Sequence, residues 1–165
     1  MRFCDPAAAT VVTPAARIPW REAQHLSENS QLSTLRVMVV DDDDSMRMLV
    51  GRMLQRIGIE SVVEAAGGEE ALALLQTAAP VDLVICDWNM PGMSGIELFT
   101  RVAAFRPDLF FLLVTGRDDD VSREAARNAG VSGYLVKPIS REMLRDKITS
   151  LLAGKRAAAP LRPPA

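Results

Sequence analysis

The sequence contains little of several residue types that mark particular protein classes. Its two cysteines, Cys4 and Cys86, lie far apart among 165 residues, whereas a small secreted domain held by disulfides needs more of them. We therefore expect a reducing, cytoplasmic location. No apolar stretch approaches the roughly 18 to 20 residues that span a bilayer. The opening "MRFCDPAAAT" carries Asp and Pro where a secretory signal would be apolar. We expect no membrane segment and no export signal.

The chain also lacks a large excess of either charge. Its formal net charge is -2, with 24% charged and 48% hydrophobic residues. Nucleic-acid-binding domains usually carry a basic excess, and disordered chains combine high net charge with few apolar residues. The composition therefore predicts an ordinary globular domain with no nucleic-acid partner.

Both ends of the chain differ in composition from the middle. Residues 1–34 are rich in Ala, Pro, Thr, Ser and Gln, and residues 154–165 read "GKRAAAPLRPPA". Neither segment has regular apolar periodicity, so we predict a flexible N-terminal extension, one domain over residues 35–153, and a disordered C-terminal tail.

Within residues 35–153, a strand-like apolar run is followed by a helical pattern five times. The strand-like runs are "LRVMVV", "IESVVEAA", "VDLVIC", "LFFLLVT" and "SGYLVK". In the first helical segment the apolar positions that share one face are Leu49, Val50, Met53, Leu54 and Ile57. This alternation predicts an α/β fold with a parallel sheet covered by helices on both faces. In such folds, ligands bind beyond the carboxyl ends of the strands.

Residues with reactive or charged side chains occur at the end of four of the five runs or directly after it. They are Asp41 and Asp42 after the first run, Asp87 after the third, Thr115 at the end of the fourth, and Lys137 at the end of the fifth. Three carboxylates in one crevice would raise each other's pKa, so the site needs a cation. Oxygen ligands favour a hard cation such as Mg²⁺.

The distribution of acidic residues agrees with a cation site. Residues 35–153 contain 13 Lys and Arg against 18 Asp and Glu, and Asp41–Asp44 with Asp87 account for the whole difference. Within this run, we assign Asp43 to the turn beside the site and Asp44 to the N-cap of the following helix. Taken singly, each residue also fits an ordinary role, such as a helix cap, a satisfied hydroxyl or a solvated charge. Trp88 is interpreted either as a lid over the site or as a surface indole.

The motifs "VVDDDDSMR", "CDWNMPGMSG", "VTG" and "GYLVKP" occur here in that order. Together they resemble the acid pair, phospho-acceptor loop, switch threonine and Lys-Pro signature of response-regulator receiver domains, especially the single-domain chemotaxis CheY type. The resemblance covers about residues 35–153. It implies a flavodoxin-like (βα)5 fold with a five-stranded parallel sheet in the order 2-1-3-4-5, for which the chemotaxis protein is itself a standard example.

The resemblance also implies a chemistry. Asp87 would accept a phosphoryl group from a histidine kinase or a histidine phosphotransfer protein. Mg²⁺ would be held by Asp42, Asp87 and the backbone carbonyl of Asn89, with Asp41 acting largely through metal-bound water. Such a transfer depends on positioning and charge neutralisation.

Other matched residues would respond to the phosphoryl group. Lys137 would contact a phosphoryl oxygen, the hydroxyl of Thr115 would close on the group, and Tyr134 would change rotamer. The Lys137–Pro138 bond is expected to be cis. A downstream protein would bind at the face formed by helix four, strand five and helix five.

Some features depart from the chemotaxis pattern or limit the function. Gly116 follows the switch threonine, and helix four carries Arg123, Glu124 and Arg127 with only Val121 as a large aliphatic residue. A flagellar-motor target is therefore not predicted. Because His25, the single histidine, lies in the N-terminal extension, we expect neither a kinase nor a phosphotransfer protein. With no helix-turn-helix pattern, we expect a stand-alone receiver that signals by protein binding and is not an enzyme with turnover.

Two alternatives remain open from the sequence. Asp41 and Asp43 form an Asp-x-Asp motif, which would suit an aspartyl-phosphate phosphohydrolase with Asp41 as its nucleophile, although the chain has little length for a cap or a substrate pocket. A pseudo-receiver would keep the fold only for protein contacts. The intact set of five strand-end residues disfavours this second alternative.

Overall fold

The computed structural model describes residues 31–77, 80–116 and 120–158. Five parallel strands form one sheet in the order β2-β1-β3-β4-β5. The strands are β1 (Arg36–Val40), β2 (Ser61–Ala65), β3 (Leu83–Asp87), β4 (Phe110–Thr115) and β5 (Gly133–Val136). This order confirms the predicted flavodoxin-like fold.

Five helices connect the strands or follow the last one. They are α1 (Asp44–Arg56), α2 (Gly68–Gln76), α3 (Gly95–Ala103), α4 (Asp120–Ala129) and α5 (Arg141–Ala158). Because successive strand residues face opposite sides of the sheet, β1 supplies Val37 and Val39 to one core and Met38 and Val40 to the other. The first core includes buried residues of α1 and α5, and the second includes buried residues of α2, α3 and α4. Burial on both faces explains the continuous apolar runs.

The buried face of α1 is narrower than predicted. Val50, Leu54 and Ile57 are buried, and Met53 packs at the edge of the core. Leu49, which the sequence places on the apolar face, is 44% exposed and does not belong to the buried face. It precedes Val50 by one position, which rotates it about 100° away from that residue around the helix.

The described structure extends past both predicted domain boundaries. Leu32, in a helical turn over residues 31–33, is 2% exposed and packs in the core, although the predicted domain begins at residue 35. Helix α5 continues through Gly154 to Ala158, beyond the predicted end at residue 153. A single apolar residue in a polar segment gives no periodicity, which is why the contribution of Leu32 was missed. Residues 1–30, including His25, and residues 159–165 lie outside the described ranges.

In the described ranges, no helix combines the length and the apolarity that crossing a bilayer requires.

Helix α3 begins close against the end of β3. Ser94 caps it in a capping box with Glu97, and the backbone N–H of Gly95 donates to the carbonyl oxygen of Trp88 at 2.9 Å. A Cβ on Gly95 would overlap the carbonyl oxygen of Asp87 and lie 2.9 Å from Cδ2 of Leu113. The absence of a side chain at this position therefore lets α3 hold the backbone that carries Asp87.

Gly95→Ala is expected to lower the free energy of unfolding by about 2–3 kcal/mol, since its methyl group would meet backbone that cannot move aside. Urea denaturation followed by circular dichroism would measure this. Gly154→Ala is the matched control, because it is also helical and has open space around its Cβ position. It should raise the free energy of unfolding by up to about 1 kcal/mol. Equal effects of the two variants would contradict the close packing at Gly95.

Candidate functional site

Three charged side chains meet at the carboxyl edge of the sheet. Nζ of Lys137 lies 2.6 Å from Oδ1 of Asp87 and 3.3 Å from Oδ2 of Asp41. The two aspartates are 7% and 6% exposed, respectively. Asp41 follows β1, Asp87 ends β3 and Lys137 follows β5. The sheet thus brings together three of the five predicted strand-end residues around one ammonium group.

Backbone groups hold the other carboxylate oxygens. The N–H of Asp43 donates to Oδ1 of Asp41 at 2.9 Å, and the N–H of Asn89 donates to Oδ2 of Asp87 at 2.9 Å. Each carboxylate therefore has a fixed orientation, with one oxygen toward Lys137 and the other toward an N–H of its own loop.

Thr115 belongs to the same edge of the sheet. Its side chain is buried, at 1% exposure for the residue, and its backbone carbonyl accepts a hydrogen bond of 2.7 Å from the N–H of Lys137. This bond extends the pairing of β4 and β5 to the residue that carries the ammonium group. The Lys137–Pro138 peptide bond that follows is cis, as predicted.

Burial and charge shift the ionisation of the site in opposite directions. Burial raises the pKa of Asp87, and hydrogen bonding and attraction to Lys137 only partly offset this increase. Burial by itself lowers the pKa of Lys137, but Asp87 and Asp41 outweigh it, so the pKa of Lys137 is raised. The ammonium group therefore remains charged, while ionised Asp87 costs the folded protein free energy.

The thiol of Cys86, the residue before Asp87, donates to the carbonyl oxygen of Asp87 at 3.1 Å. It is 0% exposed, and burial, followed by the charges of Asp87 and Asp41, raises its pKa well above the ordinary value. Because thiolates and not thiols are the reactive form, this cysteine is a core residue without nucleophilic character.

Asp42 does not join the other two carboxylates. It is exposed, and no group of three or more His, Cys, Asp or Glu side chains suited to a metal occurs among the described residues. Both residues follow the end of β1, and of the two only Asp41 is buried. The potential metal ligands that the structure brings together are nevertheless oxygens, those of the Asp41 and Asp87 carboxylates, which together with one ammonium group leave one negative charge. This donor set fits a hard cation such as Mg²⁺.

The structure corrects the assignment of the helix cap. Helix α1 begins at Asp44, and its N-cap is Asp43, whose carboxylate accepts a hydrogen bond of 2.8 Å from the N–H of Ser45. Asp44 has an 86% exposed side chain that pairs with Arg47. The helix starts one residue earlier than predicted, because Asp43 is the residue in extended conformation with its side chain placed to cap.

Arg47 is a site neighbour that the sequence interpretation missed. Its side chain is only 12% exposed, and Nη1 donates to the carbonyl oxygen of Asp41 at 2.7 Å. It also pairs with Asp44, and its Nε lies 3.9 Å from a carboxylate oxygen of Glu64. The spacing of Asp44 and Arg47 along the helix indicates their ion pair, but nothing in the sequence indicates the bond to the Asp41 carbonyl.

Trp88 packs against Tyr134. Their ring centroids are 6.4 Å apart and the rings are perpendicular, the edge-to-face geometry that aromatic pairs prefer. Both residues are half-buried. The ring of Trp88, the residue after Asp87, thus contacts a side chain of β5, and the two interpretations from the sequence, a lid over the site or a surface indole, stay predictions.

The sheet order and the Lys137-centred ion pair can be compared with known proteins. A family model described as the response regulator receiver domain matches residues 37–149. The chain belongs to this family. The receiver fold therefore accounts for nearly all of the described residues.

Several chemotaxis proteins are similar to this receiver domain. The chemotaxis protein CheY homolog of Campylobacter jejuni is 37% identical over 129 residues, which cover 75% of this chain and 99% of that protein. Chemotaxis protein CheY of Pseudomonas aeruginosa is 35% identical over 119 residues, covering 71% and 95%. The structure of Vibrio cholerae CheY4 superimposes with a TM-score of 0.66 at 34% identity, covering 71% of this chain and 98% of that one. The sequence similarity and the fold therefore both identify a CheY-like receiver domain.

Asp43→Ala should lower the free energy of unfolding by about 1 kcal/mol, because α1 loses its N-cap. Asp44→Ala removes only an exposed ion pair and should cost less than about 0.5 kcal/mol. Chemical denaturation of both variants measures the difference. A larger cost for Asp44→Ala would restore the original assignment of the cap.

Asp87→Asn should stabilise the protein at neutral pH. The raised pKa of Asp87 means that its ionised form is less favourable in the folded than in the unfolded chain. The penalty is absent below the unfolded pKa and complete above the folded pKa. The gain from Asp87→Asn should therefore be largest at pH 7 and disappear as the pH falls below about 3 to 4.

Urea denaturation across this pH range would test the effect, with exposed Asp42→Asn as the control. The control should change stability by less than about 0.5 kcal/mol. A destabilised Asp87→Asn variant at pH 7 would contradict the raised pKa.

Proposed function

We propose that the protein is the phospho-acceptor of a two-component signalling system, with Asp87 as the acceptor. The observation that carries this proposal is the buried Asp87 carboxylate held 2.6 Å from the Lys137 ammonium group at the carboxyl edge of the sheet. The donor would be a phosphohistidine on a histidine kinase or a histidine phosphotransfer protein. Membership of the receiver family and similarity to CheY proteins support this assignment.

In the proposed transfer, a carboxylate oxygen of Asp87 attacks the phosphorus atom of the phosphohistidine. The new O–P bond forms as the P–N bond breaks, and the bonding electron pair returns to the imidazole nitrogen of the donor. The product is an aspartyl phosphate. The orientation of Asp87 is already fixed by the N–H of Asn89 and by Lys137, which favours an in-line approach at little entropic cost.

Lys137 would balance charge throughout this step. Its raised pKa keeps the ammonium group protonated, so a positive charge faces the oxygens on which negative charge accumulates. The pairing of Lys137 with Asp41 holds the ammonium in place if Asp87 moves toward the phosphoryl group.

Mg²⁺ is the proposed cofactor, bound by Asp42, Asp87 and the Asn89 carbonyl with Asp41 acting through water, and when bound it would supply charge neutralisation for the phosphoryl oxygens. Asp42 is exposed and accessible to the ion. Asp41 is already oriented by the Asp43 N–H and by Lys137.

The proposed signal passes from Asp87 through two routes. The hydroxyl of Thr115 would bind the phosphoryl group and move the loop that follows β4. Trp88 is adjacent to Asp87 and contacts the ring of Tyr134, so a change at the acceptor reaches β5 through a direct ring contact. Residues 117–119 of the intervening loop lie outside the described ranges.

The proposed target surface is the face formed by α4, β5 and α5. It contains a cavity of about 280 Å³ whose lining includes Arg123, Arg127, Lys147 and Tyr134. Three cationic side chains around one aromatic ring favour an acidic target segment. The aliphatic residue Val121, also on α4, is 79% exposed and is not among the residues that line this cavity.

We further propose that the protein does not turn over a substrate and acts in the cytoplasm. The acceptor keeps the phosphoryl group until hydrolysis or transfer removes it. The thiol of Cys86 is free and buried, which suits a reducing compartment.

Incubation with acetyl phosphate and Mg²⁺ should add one phosphoryl group, measured by intact-protein mass spectrometry. The adduct should be absent in Asp87→Asn and retained in Asp44→Asn, which carries the same substitution at an exposed position. Lys137→Met should reduce the rate of adduct formation by about tenfold or more, because one charge-assisted contact to the phosphoryl group is lost.

Adding Asp41→Asn to these variants separates the alternatives. An adduct that persists in Asp87→Asn but is lost in Asp41→Asn, together with hydrolysis of phosphomonoesters, would favour the phosphohydrolase. Wild-type protein that forms no adduct and does not respond to Mg²⁺ would favour the pseudo-receiver.

A further inference from the structure

We infer that Arg47 is a positioning residue that sets the affinity of the acidic pair Asp41 and Asp42 for Mg²⁺. The inference rests on the proposed function for the presence of the metal site. Arg47 lies on α1, outside the group of residues at the strand ends, and it has no direct role in the proposed transfer.

The guanidinium group of Arg47 bonds to the backbone between the two acids. Nη1 donates to the carbonyl oxygen of Asp41 at 2.7 Å, and this carbonyl belongs to the same planar peptide unit as the nitrogen of Asp42. Because the Cα of Asp42 lies in that plane, the bond from Arg47 restrains the point from which the Asp42 side chain leaves the backbone. The exposed Asp42 depends on this more than Asp41, whose carboxylate is held by Asp43 and Lys137.

Arg47 is itself rigidly held. Its side chain is 12% exposed and is fixed by contacts on three sides, from the Asp41 carbonyl, Asp44 and Glu64. These partners lie after β1, on α1 and on β2, so the guanidinium joins three elements at the edge of the acidic run. A planar group with several donors suits such bridging better than an ammonium does.

The charge of Arg47 and its hydrogen bond to Asp41 predict opposite effects on the affinity for Mg²⁺. A positive charge beside a cation site weakens cation binding, so its removal would tighten the binding of Mg²⁺. However, Arg47 already faces two carboxylates, Asp44 and Glu64, which compensate its charge locally. Loss of orientation should therefore dominate. Groups that orient metal ligands typically contribute 10- to 100-fold to affinity.

Isothermal titration calorimetry with MgCl₂ at pH 7, without phosphodonor, tests the inference. Arg47→Ala should weaken Mg²⁺ binding by about tenfold. Arg47→Lys keeps the charge but loses the planar group, and it should bind Mg²⁺ more weakly than wild type and more tightly than Arg47→Ala. Arg52→Ala is the control, since it removes a positive charge from an exposed position on the same helix and leaves the bond from Arg47 to Asp41 in place. It should leave the affinity within about twofold of wild type.

Several results would overturn the inference. Tighter binding by Arg47→Ala would show that charge dominates, and unchanged affinity in both Arg47 variants would show that orientation is set elsewhere. If Arg47→Ala does not fold by circular dichroism, Arg47→Lys decides the question alone. Wild-type protein that does not bind Mg²⁺ contradicts the inference. Wild-type protein that binds Mg²⁺ but forms no phosphoryl adduct contradicts the proposed function and leaves the inference on Arg47 intact.

Discussion

The sharing of one ammonium group between Asp41 and Asp87 is the interaction on which the site depends. These residues come from the ends of neighbouring strands, β1 and β3, whereas Lys137 must reach them from β5 across β4. Main-chain hydrogen bonds position Lys137 and Asp87 relative to β4, because the Lys137 N–H donates to the carbonyl oxygen of Thr115 and the Trp88 N–H donates to that of Val114. Those bonds tie both ends of the ion pair to β4. The strand order thus decides which charges meet.

Much of this arrangement could be predicted because it follows from pattern and chemistry. Continuous apolar runs separated by helical segments require a parallel sheet, and a parallel sheet places all strand ends at one edge. The polar residues at those ends are therefore the natural candidates for a site, and the side chains of Asp41, Asp87 and Lys137 do lie in contact. The strand order and the cis Lys137–Pro138 bond came from family resemblance instead, since periodicity does not determine either of them.

The features that could not be predicted depend on single-residue geometry. A helix start that moves by one position transfers the cap from Asp44 to Asp43, and four consecutive aspartates offer no composition signal to choose between them. Leu49 and Val50 are both apolar, but only the rotation of α1 against the sheet decides that Val50 is buried. The bond from Arg47 to a backbone carbonyl is invisible to any pattern of side-chain types.

The aspartate run shows how the fold tolerates four consecutive acidic residues. Each of three carboxylates has a different neutralising partner: Lys137 for Asp41, the N-terminus of α1 for Asp43, and Arg47 for Asp44. Asp42 is exposed and is left to solvent. Since water stabilises an exposed carboxylate well, the fold does not need to compensate Asp42. An exposed carboxylate can bind a cation by exchanging water, which agrees with the position proposed for Asp42 as a direct Mg²⁺ ligand.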